Sequence, residues 1–308
     1  MFIGAYVGAR PLGRPLPPLG EVPQSAQVPL FLIYSFARDA AKDGRFEFYD
    51  PWQLETAVRQ QCGNQRGMLS LAGAGFSWGS AVGLDEWVAN ALDSLQRMLD
   101  KYGLVGLDIN YEEGLDERGG FAEAMAALIA QLKAWRASLL VTISPYCATW
   151  PHYRQLLQLA GASIDFVNWQ LYAELESPDA TAEEAVAVYE RLAREVGGYS
   201  KLTLGVNTEP KDLRGPRLGA CLAALHVLKG RGIGGAFVWA LDNSCGCGFQ
   251  AESALLRIAG EPTGVHAQQQ QGQAAGGGAQ QAATGGAAAS GGGQHVASYS
   301  GSTCCCIG

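Results

Sequence analysis

Eight short apolar runs rich in β-formers recur along the chain: Phe2 to Val7, Leu30 to Phe36, Met68 to Ala72, Leu104 to Tyr111, Leu139 to Ser144, Ile164 to Tyr172, Lys201 to Val206 and Gly235 to Leu241. Between most of them lie stretches with a helical period. In Asp85 to Lys101, the side chains of Trp87, Val88, Ala91, Leu92, Leu95 and Leu99 fall on one side, and Asp85 just after Gly83 is a start signal. Phe121 to Trp135 and Ala182 to Val196 repeat the pattern, the second with Thr181 as N-cap ahead of Glu183 and Glu184. Strand and helix alternating eight times over roughly 260 residues predict an α/β protein of the (β/α)8 TIM-barrel kind, with a doubly wound sheet as the rival. The proline-rich stretch from Arg10 to Gln27 cannot form a normal helix, so the first crossover is expected to be irregular.

The fourth run breaks the apolar rule. Successive strand side chains point to opposite faces, so Leu107, Ile109 and Tyr111 share one side while Asp108, Asn110 and Glu112 share the other. Unpaired carboxylates inside a sheet covered by helices are costly, and a strand mid-chain in such a series is not an exposed edge. Chemistry in a barrel sits at the C-terminal ends of its strands. That criterion gathers Asp108, Asn110 and Glu112 with Gln170 and Tyr172 after the sixth run, Phe76 and Trp78 after the third, Tyr146 after the fifth, and Trp239 in the eighth. Aromatic faces beside hydrogen-bonding groups suit a sugar.

Composition removes other classes. The formal net charge of -7, without a Lys/Arg cluster, argues against nucleic acid as a partner. No apolar run reaches the roughly 18 residues of a membrane span. Met1 to Val7 lacks a basic region and reads as the first strand, not a signal peptide; as it stands the chain is expected to be cytoplasmic, or secreted if a leader precedes it. Cys62, Cys147, Cys221, Cys245 and Cys247 show no disulfide or zinc spacing, nothing implies a metal or organic cofactor, and the expected form is a monomer. The Gly-rich phosphate loops of aldolase-type barrels are missing after the last two runs.

From Thr263 the composition turns to Gln, Gly, Ala and Ser, which predicts a disordered tail over 263–308 behind a barrel over 1–262. Its end, Cys304-Cys305-Cys306-Ile307-Gly308, is a poor lipidation signal, because the terminal Gly is atypical and no basic residues precede it.

Gly106-Leu-Asp108-Ile-Asn110-Tyr-Glu112 resembles the D-G-x-D-x-D-x-E signature of family-18 glycoside hydrolases, the chitinases and endo-β-N-acetylglucosaminidases. The resemblance extends over most of residues 1–260, and is nearest to plant narbonin and bulb-chitinase-like members. Phe2 to Ala9, Leu32 to Ala37, Leu69 to Gly73, Ile164 to Tyr172 and Gly234 to Trp239 carry it. It implies cleavage of β-1,4-linked N-acetylglucosamine, in chitin oligosaccharides or N-glycan cores, by substrate-assisted retention. Glu112 would be the general acid and base, Tyr172 would bond the acetamido group, and Trp239 would form the floor under the sugar; Gln170, Phe76, Trp78 and Tyr146 from the strand-end criterion, with Tyr6, are expected to be further substrate contacts.

Two positions depart from the signature. Val105 stands for its first Asp, and Asn110 for the Asp next to the acid. An amide accepts a hydrogen bond but supplies no negative charge to a developing oxazolinium ion, a loss of a few kcal/mol, or about two to three decades in rate. Asp108 is expected to compensate in part. Without a carboxylate neighbour, Glu112 is also expected to have a lower pKa, and any activity a lower pH optimum, than in D-x-D-x-E relatives. The alternative is a catalytically silent, narbonin-like barrel for storage or sugar binding. Short loops after most strands predict a shallow, open cleft suited to soluble oligomers.

Overall fold

The computed structural model describes residues 1–8, 15–115, 120–175, 177, 179–209 and 216–262. Its inner wall consists of β1 (Phe2–Val7), β2 (Leu30–Arg38), β3 (Gln65–Ala72), β4 (Gly106–Asn110), β5 (Leu140–Ile143), β6 (Phe166–Val167), β7 (Thr203–Asn207) and β8 (Gly235–Trp239). They hydrogen-bond in parallel in the order β6-β5-β4-β3-β2-β1-β8-β7, and a single bridge, Val167 to Leu202, joins the two ends. The result is a nearly closed TIM barrel, as the alternation predicts, and Met1–Glu261 forms one compact unit. Thr263 to Gly308, with Cys304, Cys305 and Cys306, lies outside the described residues.

Around the wall stand α1 (Pro51–Gln60), α2 (Leu84–Lys101), α3 (Phe121–Trp135), α4 (Trp150–Ala160), α5 (Ala182–Val196), α6 (Pro216–Lys229) and α7 (Gln250–Gly260). The N-terminus of α5 is a capping box: Thr181 Oγ1 accepts from the Glu184 N–H, and Glu184 Oε2 accepts from the Thr181 N–H. Helix α2 begins one residue before its expected Asp85, at Leu84, with the extended Gly83 as its cap. Among the described residues the first crossover holds only a 3-10 turn, Leu19–Glu21. None of the described helices is long and apolar enough to cross a membrane.

The two strand faces feed two cores. Leu107, Ile109 and Tyr111 face outward into the layer shared with the helices, together with Trp87, Leu95 and Leu128. Phe2, Tyr6, Ile33, Met68 and Phe237 fill the barrel interior. The odd–even split read in the fourth run is therefore real.

Two elements differ from the sequence expectation. A two-residue strand, Glu47–Phe48, pairs antiparallel with the end of β2, where register alone gives too short a signal to read. The composition of the sixth run predicts a strand as far as Tyr172, but only Phe166–Val167 forms a ladder. Beyond it the Asn168 N–H bonds the Ile143 carbonyl at 2.8 Å while the Asn168 side chain accepts from Thr203 Oγ1 at 2.9 Å. Side chains thus take over the seam, and the 3-10 turn Leu171–Ala173 carries Tyr172 to the barrel mouth.

Gly106 shows why the signature needs a glycine. A Cβ there would lie 2.7 Å from Met68 Cε and 2.9 Å from the Leu140 carbonyl oxygen. The methionine can move but the β5 backbone cannot. Gly106→Ala should therefore cost about 2 kcal/mol of stability, seen as a lower urea midpoint; an unchanged midpoint would contradict this packing.

Candidate active site

Asp108 lies at the centre of the barrel and is fully buried. It shares a register layer with Ser70 of β3 and Thr142 of β5. Its Oδ1 accepts from Thr142 Oγ1 at 2.5 Å and Ser144 Oγ at 2.8 Å, and its Oδ2 from Ser70 Oγ at 2.8 Å and the Tyr6 hydroxyl at 2.9 Å. Tyr6 and Ser144 are also 2.7 Å apart. These are five short contacts among four hydroxyls, each with one proton, and a carboxyl. With four protons for five contacts, the layer favours a proton on the carboxyl. Burial pushes the same way, raising the Asp108 pKa against the lowering effect of the hydroxyls.

One layer above, Asn110 and Glu112 emerge at the C-terminal end of β4. The segment is pinned on both sides. Gly73 N–H bonds the Asn110 carbonyl at 2.8 Å and Trp78 N–H the Glu113 carbonyl at 2.7 Å, while the Tyr153 hydroxyl lies 3.0 Å from the Tyr111 carbonyl. Glu112 faces a cavity of about 340 Å³ whose lining includes Tyr6, Asn110, Gln170, Tyr172, Phe237 and Trp239. Trp239 is half-buried, its ring 5.3 Å from that of Tyr6.

The polar groups of the cavity are connected. Gln170 Nε2 donates to Glu112 Oε1 at 3.2 Å and to the Ser144 carbonyl at 3.3 Å, and Gln170 Oε1 accepts from the Tyr172 hydroxyl at 3.3 Å. Asn110 also hydrogen-bonds Glu112, yet its own Oδ1 is buried with no partner. An acceptor left so costs roughly 1–3 kcal/mol unless a ligand donates to it.

Burial raises the Glu112 pKa above the ordinary Glu range; the Gln170 and Asn110 amides pull it down, and Glu113 and Asp108 push it up. Desolvation is the largest of these effects. Tyr172 is raised well above the usual phenol range by burial and by Glu112, Glu209 and Asp108, so it keeps its proton as a donor.

Of the residues singled out in the sequence, Glu112, Asn110, Tyr172, Tyr6, Gln170 and Trp239 meet at this cavity, with Asp108 beneath them. Three do not. Trp78 is buried in the outer core, edge-on to Trp87, Tyr111 and Phe121, so its nearness to the third strand end is no guide to its role. Phe76 lines a separate, smaller cavity with Asp39, Lys42 and Tyr111. Tyr146 is half-buried on the turn after β5, in the field of Glu112 but outside the lining. Asn207, Glu209 and Arg217 also line the cavity, and the sequence reading does not single them out. The strand-end criterion could have found Asn207 and Glu209 after β7, whereas Arg217, on α6, carries no signal. The hydroxyls of Ser70, Thr142 and Ser144 are readable only once strand register is known.

No family model matches the chain. It is 30% identical over 243 residues to Chitinase 1 of Tulipa saxatilis subsp. bakeri, covering 73% of this chain and 76% of that one. The catalytic domain of a family GH18 chitinase from the fern Peteris ryukyuensis superposes with a TM-score of 0.74 at 28% identity, over 85% of this chain and 100% of that chain. A family 18 chitinase from Crocus vernus gives 0.72 at 24% identity, over 84% and 99%, a likeness of fold.

The raised Asp108 pKa bears on stability. A group whose pKa is higher folded than unfolded stabilises fully below its unfolded pKa and loses that contribution as pH rises through the folded value. Thermal melts of wild type and Asp108→Asn should therefore show the wild-type advantage shrinking from the ordinary Asp range upward. An advantage that grows with pH would contradict a raised Asp108 pKa.

Proposed function

The chain belongs to glycoside hydrolase family 18, the chitinase-like glycosidases, and on that premise we propose that it cleaves β-1,4-linked N-acetylglucosamine in chitin oligosaccharides or N-glycan cores by a substrate-assisted, retaining mechanism. The observation that carries the reading is the convergence of Glu112, Asn110, Tyr172 and Trp239 on one cavity. Glu112 protonates the glycosidic oxygen and the bond to C1 breaks; the acetamido oxygen of the same sugar attacks C1 and forms an oxazolinium ion. Glu112, now ionised, takes a proton from the water that opens that ion. A pKa raised by burial suits the first step.

Tyr172 donates to the acetamido oxygen, and the unpartnered Oδ1 of Asn110 accepts from the acetamido N–H. Trp239 supplies the flat apolar face on which the sugar ring rests. What the site lacks is a carboxylate at position 110 beside the oxazolinium ion, since Asn110 is neutral. Slow turnover follows. That same feature favours the second reading, a barrel that binds N-acetylglucosamine oligomers without cleaving them.

Release of a fluorogenic leaving group from chitobiose and chitotriose glycosides separates the two. Wild type is expected to turn over slowly, Glu112→Gln to be inactive, and Asn110→Asp to gain about ten- to a hundredfold in kcat. No turnover by either wild type or Asn110→Asp would remove the hydrolase reading, and retained binding would then leave the binding protein. The pH profile gives a further outcome. Activity needs protonated Glu112 and falls as pH rises through its pKa, and an added carboxylate raises that pKa. The basic limb of Asn110→Asp should thus lie at higher pH than that of wild type; a limb unmoved or moved down would contradict the assignment of Glu112.

A further inference from the structure

Gln170 is held at three points. Both of its amide protons are engaged, by Glu112 Oε1 and the Ser144 carbonyl, and its oxygen accepts the Tyr172 proton. The amide orientation is therefore fixed, with nitrogen toward the acid and oxygen toward the phenol. A phenol has one proton, and while Gln170 accepts it, a ligand cannot.

We propose that Gln170 is a positioning residue that couples the acid to the hydroxyl reading the acetamido group: in the empty site it holds Glu112 in place and occupies the Tyr172 proton, which substrate must take over on binding. This role rests on the reading of Glu112 as acid and Tyr172 as acetamido partner. On binding, the Tyr172 hydroxyl turns from Gln170 Oε1 to the acetamido oxygen, and Gln170 Oε1 gives up its donor. The grip on Glu112 through Nε2 persists, because the Ser144 carbonyl keeps the amide from rotating. Gln170 thus weakens ground-state binding slightly while keeping the acid aligned, a division that a merely structural residue would not produce.

The titratable groups around Glu112 are Asp108 below it, Glu113 beside it, Tyr146 and Tyr153 on the β5–α4 side, and Tyr172 and Glu209 across the cavity, with Arg217 in the same lining. Gln170 is a neutral member of this set, so its variants act on Glu112 through hydrogen bonding or through a charge that they introduce.

The test compares full-length wild type, Gln170→Met and Gln170→Glu on the chitotriose glycoside across pH. Gln170→Met frees Tyr172 and removes the N–H from Glu112. KM should fall about three- to tenfold, kcat should fall about tenfold, and the basic limb should move up because the ionised acid has lost a donor. Gln170→Glu keeps an acceptor for Tyr172 but adds a like charge, so KM should stay within about twofold of wild type while the limb moves up further. A Gln170→Met variant that lowers kcat with KM and the limb unmoved overturns the proposal and leaves the hydrolase reading standing. Absence of turnover by wild type and Asn110→Asp overturns both.

Discussion

A carboxyl cannot sit at the middle of a closed parallel barrel unless every one of its lone pairs is engaged, and the interior of this protein is arranged to meet that demand at Asp108. Three adjacent strands each place a hydroxyl or carboxyl residue in the same layer, Ser70, Asp108 and Thr142, and Tyr6 closes the ring from β1. Tyr6 is at once a donor to Asp108 and part of the cavity lining, with its ring against Phe237 and Trp239. The hydroxyl layer is thus the floor of the site. Whatever fixes Asp108 also fixes the height at which Asn110 and Glu112 emerge.

That floor decides the electrostatics above it. With an amide at position 110 and burial raising the Asp108 pKa, the proposed sugar substrate would meet Glu112 without a carboxylate at that position. Glu209 lines the same cavity, and its field reaches Tyr172, but the same wall also holds Arg217. Burial raises the Glu112 pKa, which would help the first step of the proposed cleavage; the missing charge at position 110 would hinder the oxazolinium ion that the proposal requires. On the proposed mechanism, the site is therefore better suited to donating a proton than to stabilising the cation that follows.

Much of this is legible in the sequence because the barrel repeats its signals. Helices Phe121–Trp135 and Ala182–Val196 appear with their expected bounds, since apolar period and capping agree. The inward set Asp108, Asn110, Glu112 follows from strand alternation alone. The end of the sixth run is not legible, because Trp169-Gln170-Leu171-Tyr172 has strand-like composition while hydrogen bonding at Asn168 and Gln170 ends the ladder. Trp78 escapes the sequence for a related reason: being just after a strand says which end of the barrel a residue is near, not which way its side chain points. Ser70, Thr142 and Ser144 read as ordinary strand residues until pairing brings them to one carboxyl. Arg217 reaches the mouth from a helix, where no period marks it.

The most direct test of substrate-assisted cleavage is the anomeric form of the first product released from a soluble chitin tetrasaccharide, followed by proton NMR during turnover. Attack by the acetamido oxygen and then by water inverts C1 twice, so the β-anomer should appear first and mutarotate to the equilibrium mixture. An α-anomer appearing first would mean direct displacement by water and would contradict the proposed roles of Tyr172, Asn110 and the acetamido group.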